Sequence, residues 1–429
     1  MDIINSYLEE ICSVIKCREV HGEIKEEIRN HIEELSTEYI DNGYESDEAY
    51  KLAIRDMGDS GEIGFKLNKV YEKRIEYKTL IIAILLSLFG VGFVLILNNK
   101  LTIYASPANQ IIAFIIGIAA FIAIYYFDYR KLEKYSYHIF IVSVILSFIQ
   151  VTLGEPIFGR PGFRIANSLI TNLGICILTG FLISISGIIK GLNFKEKGQI
   201  LIAIVIFIIG NFSLFYMMNI VNNLIFTVTF IILLFKNCNN KFIPSAFCIA
   251  VLGSIIVPII SRDYFRNRLL MFLNYKSDPF GSGYQNMKVL EVLSSSKFIG
   301  NFDSSKIEKL PGAATDFIFT SIISLMGWVA ALAIVVLVLA FIIILFKNTK
   351  MIKDKYGKNI MISIVTSFAM QFIINILVSM NLFPSFTVTL PFIGYGGSAM
   401  LSNMIMLGLI SSIYSRKNLK NSYNNIISS

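Results

Sequence analysis

Apolar runs of about bilayer length recur along the chain, near residues 79–98, 109–127, 137–153, 167–189, 199–217, 219–235, 242–261, 315–346, 358–380 and 397–414. Short polar breaks separate them. In lipid every backbone N–H and C=O must be bonded within the protein, which leaves helices and closed barrels as spanning structures. A helix needs about 20 apolar residues to cross the hydrocarbon. The run lengths therefore predict an all-α polytopic membrane protein of about ten transmembrane helices. With 55% hydrophobic and 16% charged residues, a water-soluble chain would expose large apolar patches. The net charge of +8 does not signal nucleic acid. After position 80 the basic residues sit mostly in short runs between apolar segments, the pattern that orients a protein in a membrane.

Residues 1–76 differ in kind. Val20, Ile24, Ile28, Ile32 and Leu35 recur every three or four positions, with Glu23, Lys25, Glu26, Glu27, Arg29 and His31 on the other faces. Asn42-Gly43 and Gly58-Asp59-Ser60-Gly61 punctuate the segment, and Ser46 with Glu45 and Glu48 marks a helix start. A small soluble domain of three or four helices is expected. The first long apolar run begins near Thr79, so the first span is expected to serve as its own insertion signal. Cys12, Cys17, Cys176, Cys238 and Cys248 suggest no disulfide framework, and His21, His31 and His138 show no zinc spacing.

If residues 1–76 are cytoplasmic, the inside segments hold Arg130, Lys131, Lys134, Lys190, Lys195, Lys197, Lys236, Lys241, Lys347, Lys350, Lys353, Lys355, Lys358, Arg416, Lys417 and Lys420. The short outside loops hold Lys100, Arg160 and Arg164. That asymmetry predicts both termini inside, with a cytoplasmic tail at 419–429 and residues 262–314 facing outward.

The 262–314 segment is the one extensive non-apolar stretch after the soluble domain, and its aromatic content argues against disorder. Asp278-Pro279 can simply begin a turn. Arg262, Arg266 and Arg268 can snorkel at the end of the seventh span, or one of them can meet phosphate. Thr315-Asp316 stands before an apolar helix, where side-chain oxygens cap free N–H groups. Leu390 to Ser398 contains Pro391, Gly394, Gly396 and Gly397, which bend a chain back as a re-entrant loop. Asn375 and Asn403 are expected to make interhelical hydrogen bonds.

Three ordered blocks, Asp278 to Gln285, Thr315 to Phe319 and Leu390 to Ser398, resemble the SEDS family, the group of FtsW, RodA and SpoVE. Phe127-Asp128-Tyr129-Arg130, Gln371, Asn375 and Pro384 agree with it too. The resemblance covers residues 79–418, and residues 1–76 instead resemble the helical prefix found ahead of some membrane permeases. It implies a peptidoglycan glycosyltransferase that polymerises lipid II at the outer face of the cytoplasmic membrane, with a class B penicillin-binding protein as partner.

Asp278 matches the family's essential carboxylate. The resemblance offers Arg268, Lys276, Tyr284, Gln285 and Arg164 for substrate contact, and Gly281 and Gly283 for close backbone approach of a glycolipid. Thr315, Asp316, Pro391, Gly396, Gly397 and Ser398 would shape the cavity. A divalent ion, Mg2+ or Mn2+, could bridge the pyrophosphate, although no set of carboxylates at ligand spacing marks its place. The chain departs from the family at Leu273-Asn274-Tyr275, at Ala314, at Ser324-Leu325 and in the Gly159 to Leu169 segment, where charged family residues are missing. Two other functions stay open, a non-catalytic scaffold for cell-wall or sporulation proteins and a transporter of lipid-linked precursors.

Overall fold

The computed structural model describes all residues except 1, 19–20, 72–75, 101–105, 158–159, 166–168, 172, 301–304, 306 and 418–429. Lys420 and the tail after residue 417 fall outside the described residues. The chain divides into two compact units, one centred on the helices before residue 76 and one holding Glu76–Met351 and Lys355–Ile413.

The first unit contains α1 (Asp2–Val14), α2 (His21–Asp41), α3 (Ser46–Met57) and α4 (Ser60–Tyr71). The apolar stripe noted in the sequence becomes the buried face of α2, with Ile24, Ile28 and Ile32 packed against Leu8, Ile11, Ile15 and Ala53. Gly64 lets α4 approach α1, since a Cβ there would lie 2.9 Å from the Ile11 carbonyl and the Val14 Cβ. Gly58, at φ 94°, ends α3 in a conformation that few other residues adopt, and its carbonyl accepts from the Tyr7 hydroxyl at 2.7 Å.

Among the described residues, the second unit holds ten helices long and apolar enough to cross a membrane. They begin with α5 (Tyr77–Lys100) and α6 (Pro107–Tyr126), then a short α7 (Lys131–Lys134) leads to α8 (Ser136–Leu153). Strands β1 (Glu155–Ile157), β2 (Arg160–Ile165) and β3 (Leu169–Thr171) precede α9 (Gly174–Gly191), and α10 (Lys197–Tyr216) and α11 (Ile220–Asn237) follow. The seventh span joins α12 (Phe242–Phe247) to α13 (Ile249–Ser261). After α14 (Asp263–Leu273) and α15 (Tyr284–Ser295) come α16 (Ile318–Met326), α17 (Trp328–Met351), α18 (Lys355–Ser379) and α19 (Gly397–Ser415).

Three expectations change. The fourth span starts at Gly174 and not near 167, because the preceding residues form an antiparallel three-stranded sheet with Pro156 opposite Pro161 and Arg164 opposite Ile170. Proline cannot sustain a helix interior, so the segment pairs as strands. The eighth apolar run breaks at Gly327, whose φ of 88° ends α16 before α17 begins. With 24 residues, α17 alone reaches about 36 Å, enough to cross the bilayer. The 262–314 segment carries two helices rather than an open loop.

Small residues draw the spans together, as expected where lipid removes the hydrophobic drive between helices. Along α8 and α9, Ser136 faces Gly187 and Ser143 faces Gly180. A Cβ at those glycines would lie 2.0 and 2.4 Å from the serine hydroxyls.

Between α18 and α19 the backbone leaves the helix while remaining buried, so its polar groups need partners inside the protein. Asn375 donates through Nδ2 to the Val388 carbonyl at 2.6 Å and to the Asp316 carbonyl at 3.0 Å. The Tyr395 N–H bonds the Ala314 carbonyl at 2.9 Å. Gln110, 1% exposed on α6, accepts from the Gly396 N–H at 3.2 Å and donates to the Gly394 carbonyl at 3.4 Å. Phe392 takes a φ of 66°, a conformation that persists only when its surroundings hold it, and its ring packs among Phe341 and Phe368. The segment around Pro391, Gly394 and Gly396 is thus a buried, non-helical turn between the two helices.

Two predictions follow from these contacts. A Cβ on Gly90 would lie 2.6 Å from the Ile393 Cα and carbonyl oxygen, so Gly90→Val displaces the re-entrant backbone and costs about 3 kcal/mol. The thermal midpoint in detergent should fall, and an unchanged midpoint would contradict this packing. Burial raises the pKa of the Cys12 thiol, which reduces its thiolate and its access to reagents. A water-soluble maleimide at pH 7.5 should label Cys12 far more slowly in the native chain than in urea.

Candidate functional site

The candidate site lies at the end of the bundle where α13 and α18 finish and α17 and α19 begin. There α14 ends at Leu273, a single 3-10 turn spans Tyr275–Ser277, and Asp278 follows. The Asp278 carboxylate accepts two backbone bonds, Oδ1 from the Gly281 N–H at 3.0 Å and Oδ2 from the Ser282 N–H at 2.7 Å. Its carbonyl accepts from the Gly283 N–H at 2.9 Å. The side chain is exposed, with Lys276 exposed beside it in sequence and Phe280 95% exposed at the tip of the turn.

Gly281 and Gly283 have a more immediate task than the approach of a ligand. A Cβ on Gly281 would lie 2.2 Å from an Asp278 carboxylate oxygen, and one on Gly283 would lie 2.2 Å from the Tyr275 carbonyl. Both glycines are required for the turn to close around the carboxylate.

Arg268 does not hydrogen-bond Asp278. It is half-buried, and its Nη1 donates to Gln285 Oε1 and, at 2.9 Å, to Ser385 Oγ, with the guanidinium 5.5 Å from the Tyr264 ring centroid. One cation thus joins α14, α15 and the segment after α18. A second bridge runs beside it, from Asn286 Nδ2 to Asn381 Oδ1 at 2.7 Å. The Tyr284 hydroxyl donates to the Lys309 carbonyl at 3.1 Å, and Gln285 Nε2 donates to the Pro311 carbonyl at 3.4 Å. Arg268, Tyr284 and Gln285 therefore brace the frame that carries Asp278. Of the other cations, Arg262 packs over Phe215 and Tyr216, and Arg266 pairs with Asp263. Lys288 pairs with Glu291, and that hydrogen bond raises its pKa.

Other sequence-predicted residues take different places. The backbone of Arg164 lies in β2, while its side chain is outside the described residues. The cap position of α16 belongs to Phe317, not to the Thr315-Asp316 pair, and Thr315 Oγ1 donates to the Gly312 carbonyl at 3.3 Å instead. The chain makes a turn through Phe317 N–H to Gly312 carbonyl at 3.0 Å, which delays the helix start. The Asp316 carbonyl receives Asn375 Nδ2 and, at 3.2 Å, Ser379 Oγ. Pro391 is buried in the re-entrant turn, Gly397 opens α19, and the Ser398 carbonyl accepts from Ser402 Oγ at 2.9 Å and from Cys176 Sγ at 3.6 Å.

Gln110, Ser385, Asn286 and Asn381 were not singled out from the sequence. For Gln110 a signal existed, since a polar side chain in an otherwise apolar span must find a partner. Among the described residues no group of three or more His, Cys, Asp or Glu side chains converges.

The fold defines a polytopic helical membrane protein, with the Asp278 turn at one end of its bundle. The family model for the FtsW, RodA and SpoVE cell cycle proteins matches residues 78–419, and the chain belongs to that family. A probable peptidoglycan glycosyltransferase FtsW from Wigglesworthia glossinidia brevipalpis is 26% identical over 336 residues, which cover 76% of this chain and 88% of that one. A probable peptidoglycan glycosyltransferase FtsW from Idiomarina loihiensis is 32% identical over 166 residues, covering 37% of this chain and 41% of that one. Among solved structures, one from work on how a peptidoglycan synthase complex coordinates polymerization and crosslinking shares the fold at TM-score 0.66. It has 16% identity and covers 81% of this chain and 99% of that one. An aspartate-to-alanine mutant of the rod shape determining protein RodA of Thermus thermophilus has TM-score 0.61 and 13% identity, covering 80% of this chain and 98% of that one.

The brace makes a prediction of its own. Arg268→Gln removes a charged donor to two acceptors, a loss of about 2 kcal/mol. Amide hydrogen exchange in α15 should accelerate, while exchange in α8 and α9 stays unchanged. Equal exchange in α15 of both proteins would remove Arg268 from this role.

Proposed function

We propose that this chain is a peptidoglycan glycosyltransferase that polymerises lipid II at the outer face of the cytoplasmic membrane. The observation that carries the reading is the Asp278 carboxylate, exposed and held by two N–H groups on a braced frame at one end of the bundle. Family membership supports it, as do the relatives named for this activity.

The reaction joins a sugar hydroxyl to an anomeric carbon that bears undecaprenyl pyrophosphate. A new C–O bond forms as the bond to the pyrophosphate breaks, the pyrophosphate leaves with the electron pair, and the hydroxyl proton needs a base. Asp278 is the proposed base, since a carboxylate within reach of the attacking hydroxyl can accept that proton in the transition state. Lys276, exposed two residues earlier, is the cation best placed by sequence to meet the departing charge. Arg268, committed to Gln285 and Ser385, positions the frame. Mg2+ or Mn2+ would enter with the pyrophosphate oxygens, and no residue of the chain is assigned to hold it.

The orientation follows from charge. The short connections at the opposite end of the bundle carry Arg130, Lys131, Lys134, Lys190, Lys195 and Lys197, which favours a cytoplasmic place for that end and for residues 1–76. The site then faces the compartment where strands are assembled. A class B penicillin-binding protein is the proposed partner.

With purified chain and lipid II, Asp278→Asn should lower polymer formation by about 10²- to 10⁴-fold. The asparagine keeps one acceptor oxygen for the turn, and an unchanged thermal midpoint would confirm that the frame survives. Polymerisation by the variant at the native rate would remove Asp278 from the chemistry. No polymer from either protein, with the partner supplied, would favour a scaffold.

A further inference from the structure

At the end of the bundle opposite Asp278, tertiary packing gathers three lysines from two helices. Lys236 is the penultimate residue of α11, and Lys355 and Lys358 lie in the first turn of α18. Asn237 and Asn359, each one position beyond a lysine, hydrogen-bond across the helices at 3.3 Å, and Asn359 also donates to the Ser186 carbonyl at 3.1 Å. That clamp, anchored on the fully buried Asn359, sets the end of α11 with Lys236 beside the first turn of α18 with Lys355 and Lys358.

The arrangement is repulsive as it stands. The three cations repel one another, and the two on α18 sit at the positive end of its dipole, where no acidic residue occupies the first turn. None of the three forms an ion pair among the described residues. Nearby carboxylates are committed elsewhere, Glu133 to Lys190 at 2.6 Å and Asp128 to Arg130 at 2.9 Å, while Glu196 bonds Asn193. Asp354, just before α18, is buried. Lys236 is not needed to neutralise the carbonyl end of α11 either, because Lys241 Nζ donates to the Phe235 and Cys238 carbonyls there. Such a cluster at the ends of two spanning helices favours an anion between them.

We propose that Lys236, Lys355 and Lys358 form a site for the phosphate of an anionic phospholipid in the leaflet that faces this end of the bundle. A phosphodiester placed between α11 and α18 would relieve the repulsion and tie the two helices together at their ends. The proposal is independent of the glycosyltransferase reading.

The test uses the full chain in neutral detergent, with phosphatidylglycerol or phosphatidylcholine of matched acyl chains added, read by native mass spectrometry and thermal unfolding. At roughly fivefold per lysine, phosphatidylglycerol should be retained about a hundredfold over phosphatidylcholine and should raise the midpoint. The triple variant Lys236→Gln, Lys355→Gln, Lys358→Gln should lose both effects, and the corresponding arginine variant should keep them. A control with Lys131→Gln, Lys134→Gln and Lys195→Gln, which changes the same charge at the same end, should also keep them. Preference surviving in the triple glutamine variant, or lost equally in the control, would overturn the proposal. So would an equal midpoint shift from inorganic phosphate alone, which would assign the cluster to a free anion.

Discussion

The structure of the membrane unit depends on one requirement, that backbone leaving a helix inside the bundle must still have its N–H and C=O groups bonded by protein. The segment from Val388 to Gly396 meets it through Asn375, Gln110 and the Ala314 carbonyl. These partners come from α18, from α6 and from the turn before α16, so one buried loop ties together parts of the chain nearly 300 residues apart. Gly90 lets α5 lie directly against that loop. The end of the bundle that bears Asp278 is thereby built on a rigid floor.

Above the floor, polar side chains join a frame that also buries Phe265 against Phe386, and Val289 and Val292 of α15. Arg268 links three segments through two acceptors, and Asn286 with Asn381 adds a parallel bridge. A charged donor placed on neutral acceptors in a half-buried setting fixes geometry more firmly than a surface ion pair would. The turn that carries Asp278 can then remain exposed without being loose, because its own carboxylate closes it onto Gly281 and Ser282. A carboxylate held in that way keeps one orientation although it is exposed.

The legible and illegible parts of the site divide by the range of the interactions involved. Asp278, Gly281 and Gly283 stood out through the family resemblance, whereas the closing of the glycine turn on the Asp278 carboxylate showed only in the structure. A bend at Pro391 and its glycines was legible locally, since a turn is decided by residues within a few positions of one another. Arg268 was noticed, but its role was not readable, since Gln285 and Ser385 lie 17 and 117 positions away. The Thr315-Asp316 pair misled because a capping pattern describes a possible helix start, while the turn from Gly312 to Phe317 moved the actual start to Ile318.

By itself the sequence determined the solvent of the fold, the number of spans and the separate helical character of residues 1–76. All of these follow from length, periodicity and short-range backbone preference. Only the tertiary structure decided that Gly327 splits the eighth apolar run, that residues 155–157, 160–165 and 169–171 pair as strands, that Arg268 braces the frame and that Lys236 meets Lys355 and Lys358. Those outcomes depend on which distant polar groups find partners once the helices pack, and a linear pattern carries no distance between residues that far apart.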